Sequence, residues 1–571
     1  MAFLWFADLG ALYAQSANFK AGRSVDLLHQ ILREVAIFYV DTVQLDKLID
    51  TGIAAMLEQL DPYTNFIPEE EQGSLELLTT GAYGGVGSPI KSKSPRGIVF
   101  SEPYENYPAA RAGLVSGDEI LEVDGVSTAT LTIDECSNMM KGMPDTEVRL
   151  KIRKVSTGEV VDLTLRRERI HLSDIPWYGM VREGIGYIQI DGFTMGGSND
   201  LRRALMELKG GGALSGLVLD LRGNGGGLLE EAVNMLGMFL PRGTEVVSQK
   251  GRHPEQDFIH KTKEDPIDTD IPIVVLVNRR SASSSEILAG AIQDLDRGVV
   301  LGTRTFGKGL VQQPRPLNYN AQLLITTAKY YTPSGRCVQA IDYSHRNEDG
   351  SVGAIPDSLI REFRTKNGRI VYDGGGITPD ERIEAESYSR IAIELITRDL
   401  IGEYAVHYRA NHLEIASPEQ FELTDSEYEA FIAFVEKQDF DSRSTTEIML
   451  EQILFTAKRE GYDSEVVKQL DELKRAAAGD KAQDLLRHKG EIKQLLEEEI
   501  CGAYFYRKGR IRSMLRQDVQ LERAVEILLN PEEYKSLLTP RASSSSSGFV
   551  TNVPEEAVEI YAQTTAFLVG S

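Results

Sequence analysis

The sequence predicts a multidomain α/β protein, and three observations carry that reading. Its 571 residues suffice for about three or four domains that each bury a core. From Ile185 to about Asp380, short apolar runs alternate with helical stretches, the pattern of a largely buried sheet. Beyond Pro379 the chain becomes helical and strongly charged. A composition 42% hydrophobic and 26% charged is that of a soluble globular protein, and no apolar run reaches the length needed to span a bilayer. The formal net charge of −24 argues against nucleic acid as a ligand, because phosphate binding rests on clustered Lys and Arg; peptides and small molecules remain open.

Taken in order, residues 1–15 read either as a shortened secretory signal or as an N-terminal helix: the stretch is apolar, but no basic segment precedes it and Asp8 interrupts it. Residues 16–75 form a helical region. Leu27, Leu28, Ile31, Leu32 and Val35 share one face, and Ile49, Ile53, Met56, Leu57 and Leu60 another. Asp61-Pro62 ends the second helix, since the residue before a proline is pushed out of the helical region. Residues 76–169 change to short strands, over 97–100, 119–123, 148–153 and 160–165, with one helix at 132–140. Residues 170–385 make the α/β core, with buried strands over 185–190, 217–219 and 273–277. Residues 386–540 form a helical extension, and residues 541–571 a flexible tail marked by the Ser543–Ser547 run. Cys136, Cys337 and Cys501 lie far apart, with neither a disulfide framework nor metal-ligand spacing, and no cofactor or metal is expected.

Two strand-to-helix junctions in the core stand out. The first runs from Gly216–Asp220 into Leu221-Arg222-Gly223-Asn224-Gly225-Gly226-Gly227. Its glycines let the backbone turn sharply and offer unobstructed N–H groups near a helix N-terminus, which suits an anion. A tight turn alone would explain one or two of them. The second follows the Ile273–Val277 strand with Ser281-Ala282-Ser283-Ser284-Ser285-Glu286. Small hydroxyl residues there suit a nucleophile turn, although Ser285 could simply cap the helix. Further on, Lys308 sits between Gly307 and Gly309 in an apolar setting. Desolvation lowers the pKa of such an amine, which must fall from about 10.4 to the neutral range, about 4 kcal/mol of environmental pressure, to act as a base.

Together these segments resemble the C-terminal processing peptidases, the tail-specific serine proteases with a Ser/Lys dyad on a ClpP/crotonase-like core. The resemblance covers about Ser24 to Asp380, including Leu60-Asp61-Pro62, Phe306-Gly307-Lys308-Gly309, Tyr330-Tyr331-Thr332-Pro333-Ser334-Gly335-Arg336 and Gly375-Gly376-Ile377-Thr378-Pro379-Asp380. It implies Ser283 as nucleophile, Lys308 as general base and Gln312 as the group orienting the lysine amine. The implied oxyanion donors are the N–H groups of Ser284, where the family usually has alanine, and of Gly225 or Gly226. A Ser-His-Asp triad is the competing mechanism; of the histidines in the core, His253, His260 and His345, none sits in a motif tied to Ser283.

Tyr83-Gly84-Gly85-Val86-Gly87, followed by Pro108 to Gly125, resembles a PDZ domain. A glycine loop can aim N–H groups at a terminal carboxylate while the adjacent strand edge adds the peptide as a further strand. Gly85, Val86 and Gly87 are the expected donors. Pro89 follows them and lacks the N–H that an edge strand could use. The resemblance implies polypeptide substrates with free C-termini and a periplasmic or envelope location; for the C-terminal helices two roles stay open, capping of the substrate cleft and self-association into a homo-oligomer. A non-catalytic peptide- or ligand-binding protein on the same core is the alternative. The joint presence of Ser283, Lys308 and Gln312 counts against it.

Overall fold

A computed structural model of the chain describes residues 22–69, 73, 79–93, 97–347, 350–384, 388–438, 445–477 and 481–540. The signal-like residues 1–15 and the tail over 541–571 lie outside them. The chain forms two compact units: one gathers residues up to Gln72 with Val311–Thr327 and Tyr343–Val352, and the other holds the rest.

The smaller unit contains helices over 22–38 and Leu45–Glu58. The second stops just before Asp61-Pro62. There the Asp61 carboxylate accepts the N–H groups of Tyr63 and Thr64 at 2.8 and 2.9 Å, and Arg346 donates to the Glu58 carbonyl at 2.6 Å. The strand Asn65–Ile67 pairs antiparallel with the first half of the Gln322–Tyr331 strand, Asn65 opposite Leu324.

The larger unit is built around a six-stranded sheet in the order Tyr178–Arg182, Ile185–Gln189, Gly216–Asp220, Ile273–Val277, Val299–Gly302 and Glu381–Arg382. Only the first pair is antiparallel. Every residue of Gly216–Asp220 and Ile273–Val277 is buried, which is why these strands read as unbroken apolar runs rather than alternating ones. The helix Val519–Leu529 packs Leu521, Ala524, Val525, Ile527 and Leu528 over Val218, Val274, Leu276, Val299 and Leu301 of this sheet.

A second antiparallel sheet, ordered Ile90–Lys93, Gly97–Phe100, Glu119–Val123, Glu147–Arg153 and Val160–Arg166, encloses its own core with the helix Ile133–Met140. That helix opens on a reciprocal cap: the Thr132 hydroxyl accepts the Glu135 N–H, and the Glu135 carboxylate accepts the Thr132 N–H. The C-terminal helices form a third core around Tyr404, Tyr428, Phe431, Leu496 and Ile500. They hold the second sheet from one side: Lys93 is paired with Asp399 and Glu403 at 2.8 Å each, and Lys91 with Asp399 at 2.8 Å. Among the described residues no helix is long and apolar enough to cross a membrane.

The helix Ser284–Asp294 is buried at every position. At its far end the buried Asp294 accepts from Arg336 at 2.8 Å, from the Thr332 hydroxyl at 2.5 Å and from the Ser334 N–H at 3.0 Å. Replacing Asp294 by Ala strands the buried guanidinium of Arg336, and a loss of about 3–5 kcal/mol is expected in urea unfolding. Breaking the exposed pair Arg475–Asp471 should be silent in the same assay.

Candidate active site

Ser283 stands at the junction between the Ile273–Val277 strand and the Ser284–Asp294 helix, with φ 55° and ψ −114°. A non-glycine residue at positive φ outside the left-handed helical region is strained, and such strain persists only where surrounding structure enforces it. Here the enforcement is visible. The Ser281 hydroxyl donates to the Leu221 carbonyl at 2.8 Å, the Ala282 N–H to the Asn224 carbonyl at 3.0 Å and the Ser285 hydroxyl to the same carbonyl at 2.9 Å. The helix is not capped by the Ser285 hydroxyl, as one reading of the sequence allowed. Ser283 is the cap residue, and its N–H goes to the Glu286 carboxylate at 2.9 Å.

The glycine turn lies directly against this junction. Gly226 has φ 106°, and a Cβ there would come within 2.7 Å of the Ser283 Cβ and 2.8 Å of the Ala282 carbonyl oxygen. The requirement for glycine is therefore steric as well as conformational. The N–H of Gly226 is taken by the Asn224 side chain at 2.8 Å. Among the described residues, the N–H groups of Gly225 and Ser284 have no acceptor. The Ser284 hydroxyl, the departure from the family pattern, donates to the Gly227 carbonyl at 2.8 Å and so fastens the turn to the helix start.

Lys308 is half-buried on the loop between Val299–Gly302 and Leu310–Pro316. That loop is bound to the Ser283 junction by one carboxylate. Glu286 accepts the N–H groups of Ser283 and Lys308 on one oxygen, at 2.9 and 2.8 Å. Its other oxygen accepts the N–H of Gly307 at 2.8 Å and the hydroxyl of Thr305 at 2.6 Å. Burial pushes this carboxyl up to about 7 while the hydrogen bonds pull the other way. On the opposite side the Tyr330 hydroxyl lies against the carbonyls of both Ser283, at 3.0 Å, and Lys308, and its one proton is shared between them. Sequence reasoning missed both residues as parts of the site. The one signal for Glu286 is its place three residues after the cap.

Gln312 lies on the Leu310–Pro316 strand within the smaller unit, where its amide nitrogen donates to the Thr326 hydroxyl at 3.1 Å. His260 has its ring nitrogens against Glu230 and Gln249 at 3.1 and 3.3 Å, and among the described residues no histidine is hydrogen-bonded to Ser283.

The second sheet carries a separate feature. Val86, Gly87 and Ser88 are buried, yet among the described residues their N–H groups have no acceptor. Gly85, expected at the head of this run, ends the strand Ala82–Gly85 paired with Glu168–His171. The adjoining strand Ile90–Lys93 is the edge of its sheet. The Ser101 N–H donates to the Pro89 carbonyl at 2.9 Å, and Lys91 and Lys93 continue that register opposite Val99 and Gly97. In an antiparallel pair, successive residues turn their backbone groups to opposite sides. Pro89, Lys91 and Lys93 thus face the inner strand, whereas Ile90 and Ser92 present N–H and C=O to the open edge. The donor that Pro89 lacks is one the edge would not have used, which corrects the expectation drawn from sequence.

The family model described as peptidase family S41 matches residues 184–345. A PDZ domain model matches residues 99–154, and that of the C-terminal helical domain of probable PDZ-proteases matches residues 391–528. The chain is 36% identical over 335 residues to the carboxy-terminal-processing protease of Bartonella bacilliformis, covering 58% of this chain and 74% of that protein. It is 35% identical over 317 residues to the carboxyl-terminal-processing protease of Synechocystis sp., covering 55% and 71%.

Gly226→Ala is expected to fold but to displace the Ser283 junction, slowing the reaction of Ser283 with a fluorophosphonate probe about 100-fold. An unchanged labelling rate would show that the turn yields freely to a Cβ.

Proposed function

The chain belongs to peptidase family S41 as a serine-type C-terminal processing peptidase with a PDZ domain, and we propose that it cuts polypeptides through Ser283 and Lys308 after gripping their free C-terminal tails. The observation that carries this reading is the joining of the strained Ser283 and Lys308 through Glu286.

Lys308, neutral at its amine, takes the Ser283 hydroxyl proton as the serine oxygen attacks the scissile carbonyl. The oxyanion that forms is met by the Ser284 N–H and by the glycine turn, where the Gly225 N–H has no acceptor among the described residues. Losing one such donor costs about 3–4 kcal/mol of transition-state stabilisation. The lysine gives its proton to the leaving amine; it then takes a proton from water as that water attacks the acyl carbon, and returns it to the Ser283 oxygen as the acyl bond breaks. Orienting the lysine amine falls to Gln312 on its spacing from Lys308 alone. No step calls for a metal or cofactor.

For tail recognition, the unpartnered N–H groups of Val86, Gly87 and Ser88 suit a terminal carboxylate, and the open groups of Ile90 and Ser92 suit the backbone behind it. An apolar terminal side chain would rest near Val86 and Ile90, which border the core of this domain. The periplasm or cell envelope is the location we assign, on the family resemblance together with the signal-like residues 1–15.

Wild-type protein is expected to cleave casein and a peptide with an apolar free C-terminus, with a rate that rises toward alkaline pH. Ser283→Ala and Lys308→Ala should each lose at least about 1,000-fold in kcat while still binding the peptide. Amidating the peptide terminus should weaken binding about 10- to 100-fold through lost charge-assisted hydrogen bonds. Binding without cleavage by the wild-type protein would favour a binding protein on the same fold.

A further inference from the structure

Ser283 and Lys308 reach the site on separate loops, and a dyad works only if the two backbones keep one separation. The Glu286 carboxylate does more than cap a helix. A cap would need the Ser283 N–H alone, yet three further donors, from Thr305, Gly307 and Lys308, come from the lysine loop. Ser283 and Lys308 share a single carboxylate oxygen on their N–H side. On their C=O side they share a single hydroxyl, that of Tyr330. Tyr330 is itself fixed: its N–H donates to the Gly309 carbonyl at 3.0 Å, it lies opposite Gln249 in the neighbouring strand, and its side chain is almost wholly buried.

We propose that Glu286 and Tyr330 are positioning residues forming a two-sided clamp that sets the separation of Ser283 and Lys308, gripping both peptide backbones without touching substrate. The inference rests on the dyad assignment above. It adds a restraint on the strained φ of Ser283 to those that Ser281, Ala282 and Ser285 already supply. It also accounts for a carboxylate with no exposed surface beside the reacting groups, a costly arrangement unless its donors are fixed around it. A glutamine at 286 has the same shape but only one acceptor oxygen, so its amide N–H groups would confront the backbone N–H groups on one side.

Kinetics on the full chain with the free-terminus peptide test the clamp, alongside thermal unfolding and tail-peptide affinity. Tyr330→Phe should stay folded and lose about 10- to 100-fold in kcat, with KM and tail affinity within about 3-fold of wild type. Glu286→Gln should lose about 100-fold or more, and the double variant should be no worse than Glu286→Gln alone, because one clamp broken twice costs little extra. A residue that merely supported the fold would lower the unfolding temperature without this split between kcat and KM. Wild-type kcat in a folded Tyr330→Phe protein, or additive losses in the double variant, would overturn the clamp; should Glu286→Gln fail to fold, Tyr330→Phe decides alone. Undiminished cleavage by Ser283→Ala would instead sink the dyad beneath it.

Discussion

One buried carboxylate, that of Glu286, holds the Ser283 junction and the Lys308 loop together. Removing an ionised carboxylate from water costs several kcal/mol unless hydrogen bonds replace the lost hydration. For Glu286 that replacement comes from Ser283, Thr305, Gly307 and Lys308, residues far apart in sequence that must converge for the group to be tolerated at all. The same helix ends on Asp294, buried against Arg336. Charged groups thus fix both ends of a helix whose middle is packed on every side, leaving little freedom for the residue at its head.

The second sheet solves a different problem. An edge strand with open backbone groups invites unwanted pairing, and short length together with lysine side chains restrains it. Ile90–Lys93 has both, and its lysines are engaged by Asp399 and Glu403 of the helical region. The backbone side remains open for a peptide while the side chains are held from another direction. The helical region reaches the protease core as well: Val519–Leu529 covers a face of the sheet, and Arg222, next to the glycine turn, pairs with Asp518 as well as Asp220. The C-terminal helical region therefore braces both the Ile90–Lys93 edge and the glycine turn beside Ser283.

Much of this was legible in the residues. Buried parallel strands leave continuous apolar runs, so Gly216–Asp220 and Ile273–Val277 were readable as strands, and the glycines and small hydroxyl residues after them marked both junctions. The capping pattern Thr132 to Glu135 and the helix stop before Asp61-Pro62 are likewise local, decided within a few residues. Glu286 and Tyr330 were not legible as site residues. A glutamate after a cap and a tyrosine in a strand are ordinary locally, and their role comes from partners about 20 to 50 positions away.

The sequence alone determined the fold class and the family, because those depend on composition, periodicity and short motifs. Tertiary structure alone decided which backbone groups remain free. Asn224 occupies the Gly226 N–H, and strand register turns Pro89 inward and Ile90 and Ser92 outward. The physical reason is that a hydrogen bond's partner is set by where the folded chain brings a second group. No residue type or spacing specifies that group until the strands are paired and the loops are closed.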